Sequence, residues 1–489
     1  MQTTQNNISI AMAGLLLCSS VLRADERDDK IQALEQRLKT QDERIRRLED
    51  LLIKQQEKTA PLPPVAPPEQ AGSVAISRDL KDASPAKTNA PPVISIGSDG
   101  FAMRSANGNF KLGVGGLLQM DSRSYFNDGG IQNNDMFLIR RARITLDGRV
   151  FRDFEFRLQP ELGGASAPSL RDAYLNYSYA EEAQFQFGKF KTPVGLEQLQ
   201  RDRAIMFVER ALVSDITPGR DVGVEFHGTA LDKTVEYSAG VYNGVGDGAT
   251  TSNVDTDGEK SVAGRVFVYP FPSQAPEPFQ KIGLGVGGSF ARTHGAAEMP
   301  SGNGFLTQGQ QQFFTYLTST TAGKPNVVGA GDHWRISPQA SWYWRRWSAL
   351  AEYVLASQDL ARSDLGVSST IQNSAWQVAL GCVLTGENAS AKGVIPTHPF
   401  NPHEGSWGAL EVVARLSSLH VDNSAFPLFA DPSQSASQAA SWAVGLNWYL
   451  NENIRAYLDF FQTRFDGGKQ AAVTAQDEFA LFWRLQLSF

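Results

Sequence analysis

The chain ends on Phe479-Ala-Leu-Phe-Trp-Arg-Leu-Gln-Leu-Ser-Phe489. Phe479, Leu481, Trp483, Leu485, Leu487 and Phe489 share one parity; Ala480, Phe482, Arg484, Gln486 and Ser488 share the other. Side chains alternate along a strand, so one face is wholly apolar and the other mostly small or polar. A half-apolar strand of about ten residues suits a transmembrane barrel, with lipid outside and water inside. An ordinary edge strand over a soluble core alternates in the same way, so the rest of the chain must decide.

The 489 residues suffice for two or three soluble domains or one large barrel. No run of apolar residues is long enough for a transmembrane helix, so any crossing is made by strands, which satisfy their backbone groups only in a closed barrel. The formal net charge of -7 argues against nucleic acid as a partner. Of the two cysteines, Cys18 falls in a leader-like segment and Cys382 among strand residues, which excludes a disulfide scaffold or a cysteine zinc site. Residues 1–24 read as a signal peptide. Ile8 to Leu17 forms a short apolar core and Leu22-Arg23-Ala24 a cleavage site, although no Lys or Arg precedes the core.

No aromatic residue precedes Phe101, which argues against a packed core in the first hundred residues. Residues 25–58 carry heptads, with Ile31, Leu38, Ile45 and Leu52 at a and Leu34, Gln41, Leu48 and Gln55 at d. This spacing predicts a periplasmic coiled coil and hence an oligomer. Residues 59–92 form a Pro-rich linker, from Pro61 to Pro92.

From Val93 to Phe489 alternating segments recur, among them "ARITLDGRV", "FEFRLQPEL", "AYLNYSY", "SALAEYVLAS", "GALEVVARLSSLH" and "IRAYLDFFQTRF". Short turns (Asp147-Gly148, Asn451-Glu452-Asn453) alternate with long loops ("TGEN…", "DGATTSNVDTDGEK"). The pattern predicts an all-β transmembrane barrel of about 16 antiparallel strands, roughly 25 residues per strand and connection. Trp342, Trp344, Trp347, Trp448 and Tyr449 sit where interfacial girdles are expected. The closing strand is expected to meet a first strand near Phe110 to Gln119.

No catalytic, metal-binding or cofactor motif is found: G-x-S-x-G, H-E-x-x-H and a phosphate-binding Gly loop before a helix are all missing. The six histidines are scattered and read as surface-loop residues. The basic residues say more. In "FLIRRARITLDGRV", Arg141, Arg143 and Thr145 share a face opposite Ala142, Ile144 and Leu146, and arginine on the lipid face is costly, so that face looks into the lumen. Arg140 has lipid parity and needs a strand end or a bulge to turn inward. Glu155 and Arg157 point inward on the next strand. "KFKTPVGLEQLQRDRAIMFVER" breaks the strand pattern where a porin folds a loop into its lumen. Lys189, Lys191, Arg201, Arg203 and Arg210 would then coat a constriction suited to oxyanions, or else stand as solvated loop charges beside Glu197, Asp202 and Glu209.

"FLIRRARITLDGRVFRDFEFRLQPE", "RDAYLNY", "FGKFKTPVGLEQL", "FVERA", "PGRDVGVEFHG", "YSAGVYNG", "LTGEN" and "NWYLNENIRAYLDF", in this order, resemble the phosphate-selective porin O and P family of Gram-negative outer membranes. The resemblance implies a trimeric, sixteen-stranded barrel in outer-membrane lipid. It also implies an inward third loop and lumenal Arg and Lys that select phosphate or pyrophosphate. Arg140 and Arg141 match a basic pair of the pore. Lys189, Lys191 and Arg210 match basic positions around the constriction loop, and Arg201 and Arg203 fall within it. Arg143 stands where close phosphate porins carry an aromatic residue, and the coiled coil is absent from the best-characterised members. The expectation is a homotrimeric pore for small anions such as phosphate, without cofactor. A general or organic-acid porin is the alternative, with the coiled coil reaching toward peptidoglycan or a periplasmic protein. A barrel enzyme is disfavoured.

Overall fold

The computed structural model describes Lys39 and residues 91–489, except 98–99, 127–133, 165–167, 252, 256–257, 272–273, 296–303, 319–325, 363 and 468–476. The chain divides into two units, Met1–Pro85 and Ala86–Phe489. The signal peptide, the heptads and most of the linker lie outside the described residues; Lys39 alone among the heptads is described, helical and exposed.

The second unit is a closed barrel. A hairpin, β1 (Val93–Gly97) and β2 (Gly100–Arg104), precedes it. The wall is built from β3 (Lys111–Phe126), β4 (Met136–Val150), β5 (Phe154–Glu161), β6 (Ser169–Ala180), β7 (Ala183–Lys191), β8 (Arg220–Ala230), β9 (Val235–Tyr242), β10 (Ser261–Val268) and β11 (Ile282–Gly295). It continues, after a small hairpin of β12 (Phe305–Leu306) and β13 (Gln312–Phe314), through β14 (Val327–Trp344), β15 (Trp347–Arg362), β16 (Val367–Val383), β17 (Ala409–His420), β18 (Gln438–Tyr449), β19 (Ile454–Asp466) and β20 (Glu478–Ser488). Sixteen strands, β3–β11 and β14–β20, pair antiparallel with their chain neighbours, and β20 closes on β3.

The packing is inverted relative to a soluble protein. Val412, Leu416, Leu446, Leu458 and Trp483 are exposed on the outer face, while Gln377, Arg415, Asn447 and Asp459 are buried inside. The terminal strand keeps the expected parity: Arg484 and Gln486 are buried in the lumen, and Trp483 faces out. Its register corrects one expectation. β20 meets β3 as expected, but along Leu117–Phe126, so it overlaps the expected Phe110 to Gln119 only at the latter's end. Phe489 exchanges two backbone hydrogen bonds with Gly116, at 2.8 and 3.1 Å.

Three further expectations change. Asp147-Gly148 is not a turn; β4 runs on to Val150 and the chain reverses at Phe151–Asp153, because inward Asp147 is matched across the ladder by Arg157. "TGEN" begins a long connection on the short-turn end, where the Phe400 amide donates to Leu450 C=O at 2.6 Å and Trp448 Nε1 to Trp407 C=O at 2.6 Å. Tyr449 points inward and donates to Glu411 at 2.7 Å instead of joining an outer girdle.

Part of the lumen holds an apolar core. Phe305, Phe313, Phe314 and Tyr316, from the connection between β11 and β14, pack with Leu212, Ile216, Leu360, Ile371 and Phe429. The run "QQFFTY" inside a long loop was its signal in the sequence.

Candidate functional site

The loop between β7 and β8, residues 192–219, folds inward. Val194, Ile205, Phe207, Val208 and Ile216 are fully buried. Pro193 and Gly195 end the strand, one helical turn follows at Leu196–Leu199, and a 3-10 turn at Leu212–Ile216 leads back to the wall. Phe207 and Val208 pack with Tyr125, Val413, Tyr457, Phe461 and Phe482.

Polar wall residues hold the loop's backbone. Glu352 on β15 accepts from the amides of Leu196 at 2.7 Å and Glu197 at 3.1 Å. Asp459 on β19 accepts from the Val208 amide at 2.6 Å, while Arg484 donates to Val208 C=O at 2.7 Å. Asn447 donates to Met206 C=O at 3.0 Å, Arg415 to Glu209 C=O at 3.1 Å and Gln486 to Arg203 C=O at 3.1 Å. Gly287 on β11 permits the approach on that flank, since a Cβ there would lie 2.2 Å from Val194 C=O. Each bond satisfies a buried backbone group that would otherwise cost about 1–3 kcal/mol. The loop is thereby fixed against β14–β20, and the open space lies on the β3–β8 side.

The loop's own carboxylates bind the opposite wall. Arg140 is the extra residue of a bulge: Gln119 pairs with Arg141 and Met120 with Ile139. The bulge turns Arg140 inward, where Nε donates to Glu209 at 2.7 Å. Glu209 also takes Arg123 at 2.7 Å. Asp202 takes Arg210 at 2.6 Å and Arg143, and lies 3.9 Å from Arg141; Arg143 also holds Glu161 at 2.5 Å. Burial alone would raise the Asp202 and Glu209 carboxyls. For Asp202 the charges of Arg210, Arg143 and Arg141 outweigh it, and for Glu209 those of Arg140 and Arg123, so both lie well below the usual carboxylate range.

A cavity of about 1000 Å³ remains between the loop and β3–β8. Of the residues expected to coat a constriction, Arg143, Lys191, Arg201 and Arg203 line it. Arg140, Arg141 and Arg210 are instead engaged by loop carboxylates or, for Arg141, by Gln119 at 2.7 Å. Lys189 donates to Thr251 C=O at 2.8 Å and Asn253 at 2.6 Å, and does not line the cavity. Lys191 donates to Gln200 C=O at 2.6 Å. Arg104, Lys111, Arg157 and Arg220 complete the basic lining, giving eight cations against Asp147, Asp172, Asp202 and Glu225. Burial, then the like charges of Arg157 and Arg203, lower the pKa of the Arg201 guanidinium. Cations therefore crowd at the loop tip, in excess over carboxylates.

Inward parity on β5 anticipates Arg157. Arg220 has lipid parity against Val224 and Phe226, and turns inward only because it opens β8 and pairs with Asp172 at 2.7 Å. His333 corrects the surface-loop expectation. It is buried on β14 beside Asp247, at 3.3 Å, because its parity matches that of lumenal Arg335.

Comparison with solved structures finds porin barrels. The outer membrane channel DcaP of Acinetobacter baumannii is 10% identical, with a TM-score of 0.49 over 79% of this chain and 99% of that one. The OmpF porin of Salmonella typhi, in complex with daunomycin, is 12% identical, with a TM-score of 0.48 over 79% and 100%. An anion-selective porin from Comamonas acidovorans is 11% identical, with a TM-score of 0.45 over 78% and 100%. Comparison with curated proteins gives no match. The family model for phosphate-selective porin O and P matches residues 110–489, which takes in every strand of the closed barrel, and the chain belongs to that family.

Proposed function

We propose that this outer-membrane channel passes small anions, phosphate or polyphosphate foremost, by passive diffusion past the tip of the inward loop. One observation carries the proposal: the open cavity is lined by eight cationic side chains and four carboxylates, with Arg201 and Arg203 on the loop facing Arg157 on the wall. Several adjacent cations offer a multivalent oxyanion partial replacement of its hydration while leaving each contact weak enough to release it. The guanidiniums of Arg140, Arg141 and Arg210 serve the pore indirectly, by fixing the loop that presents the tip.

A second reading, an organic-acid pathway, is favoured by the apolar part of the same lining, where Val114, Leu117, Tyr174, Phe190 and Leu199 stand among the charges. A carboxylate with a hydrocarbon body suits that mixture. Assembly as a homotrimer belongs to the proposal, with the heptads of residues 25–58 as a periplasmic coiled coil reaching toward peptidoglycan or a periplasmic protein.

Reversal potentials in planar bilayers test the charge preference. Preference for potassium over chloride would end the anion reading. Block of chloride current by millimolar phosphate supports the phosphate reading; block by a dicarboxylate but not by phosphate moves the assignment to organic acids.

A further inference from the structure

Of the four carboxylates that line the cavity, three are neutralised. Asp147 lies 3.7 Å from Arg157, Asp172 takes Arg220 at 2.7 Å, and Asp202 takes Arg143 as well as Arg210, the latter at 2.6 Å. Glu225 on β8 differs. Among the described residues it makes no ion pair, and its Oε2 accepts from the Tyr242 hydroxyl at 2.7 Å. Gln186 stands directly across the ladder on β7 and lines the same cavity.

The wall is shaped to hold this arrangement. Tyr242 ends β9, is buried, and packs edge-on against Phe190 at 5.8 Å. Two glycines make room for its ring. A Cβ at Gly223 would lie 2.6 Å from Tyr242 Cδ1, and one at Gly240, opposite Glu225, would lie 2.8 Å from the Tyr242 hydroxyl. A buried carboxylate without a cation is costly, and one bond from a tyrosine offsets only part of that cost. A glutamine of the same shape would accept the same bond and carry no charge. The brace therefore needs the shape of Glu225 but not its charge.

We propose that Glu225 is a specificity residue that reads the proton of the permeant. It favours oxyanions that keep an O–H, hydrogen phosphate among them, over oxyanions of equal charge that have none, such as sulfate. The inference rests on the anion reading above and narrows the class of anion. A carboxylate accepts hydrogen bonds and donates none. An anion that also only accepts meets uncompensated repulsion at Glu225. An anion with an O–H donates to the carboxylate instead, while the Gln186 amide is a donor for its other oxygens. Selection thus comes from a repulsive element as much as from an attractive one.

The test uses the full chain in planar bilayers, in moderately alkaline solution. Hydrogen phosphate, sulfate and methylphosphonate are all dianions there, and only the first keeps an O–H. Bi-ionic reversal potentials of the parent are expected to favour phosphate over each of the other two by about tenfold. Methylphosphonate or sulfate permeating as readily as phosphate would overturn the inference without any variant. Glu225→Gln retains the bond to Tyr242 and is expected to keep the KCl conductance while bringing both ratios close to one. Ratios that stay at the parent's value would also overturn it, and would leave Glu225 as a brace for Tyr242. A parent that prefers potassium over chloride overturns the anion reading and this inference together, whereas an anion-preferring parent with unselective ratios overturns this inference alone.

Discussion

Arg201→Glu is the most direct test of the loop tip. Arg201 lines the cavity with Arg157 and Arg203, and the described residues give it no carboxylate partner. For an ion about 7 Å from the guanidinium, one unit charge is worth ~0.6 kcal/mol in water, and reversal doubles the change to ~1.2 kcal/mol. Salt at about 0.1 M roughly halves that. Anion and cation energies move in opposite directions, so their permeability ratio shifts by ~1.2 kcal/mol, about eightfold toward cations. A lower local dielectric inside the lumen makes the shift larger. The assay is the zero-current potential of single channels under a KCl gradient, with Arg149→Glu as a control at the rim, where Glu155 already pairs the charge. A ratio at Arg201→Glu within error of the parent would place the tip outside the ion path and refute the geometry.

Asp202→Ala removes the shared carboxylate of Arg143 and Arg210. Breaking buried pairs of this kind costs about 3–5 kcal/mol, so the heat-modifiable gel shift of the barrel should move to lower temperature and the open-channel current become noisy. The pH dependence should have one sign. Asp202 and Glu209 have folded pKa values below their unfolded values near 4, so their clamp is complete above about pH 5 and is lost as pH falls through the depressed values. Current noise should therefore be flat from neutral pH down to that range and rise only below it; noise that grows between neutral pH and pH 5 would point to other groups. Gly116→Leu puts a side chain onto the Phe489 ring, 2.7 Å from a Cβ, and should lower the yield of folded barrel in outer-membrane fractions without altering the conductance of the barrels that form.

Much of the architecture could be read from the chain because a membrane barrel writes it at a period of two. Phe479 to Phe489 assigns Trp483 outward and Arg484 inward from parity alone, and the same rule places Arg141, Arg143 and Arg157 in the lumen. It also states the condition on Arg140, which the bulge at Gln119/Met120 then meets. What stayed hidden depends on pairing between distant parts. Arg140, Arg141 and Arg210 look the same in sequence as Arg201 and Arg203, but carboxylates of one folded loop engage Arg140 and Arg210, while Gln119 holds Arg141. The small aromatic hairpin inside the lumen could not be placed because nothing local says which wall Phe305 and Phe314 will meet. The β1–β2 hairpin was not anticipated, because the edge of β3 that it shares with the last strand is set by pairing between segments far apart in the chain.

That shared edge sets a limit on closure. Period-two alternation tolerates a slip of two residues, because every side chain keeps its face. Sliding β20 by two along β3 would carry Phe489 from Gly116 to Val114, a position already bonded to Phe101 of β2. The hairpin is thus a ruler for the final strand: it marks where β20 must stop, and it excludes the registers that would carry β20 further toward the start of β3.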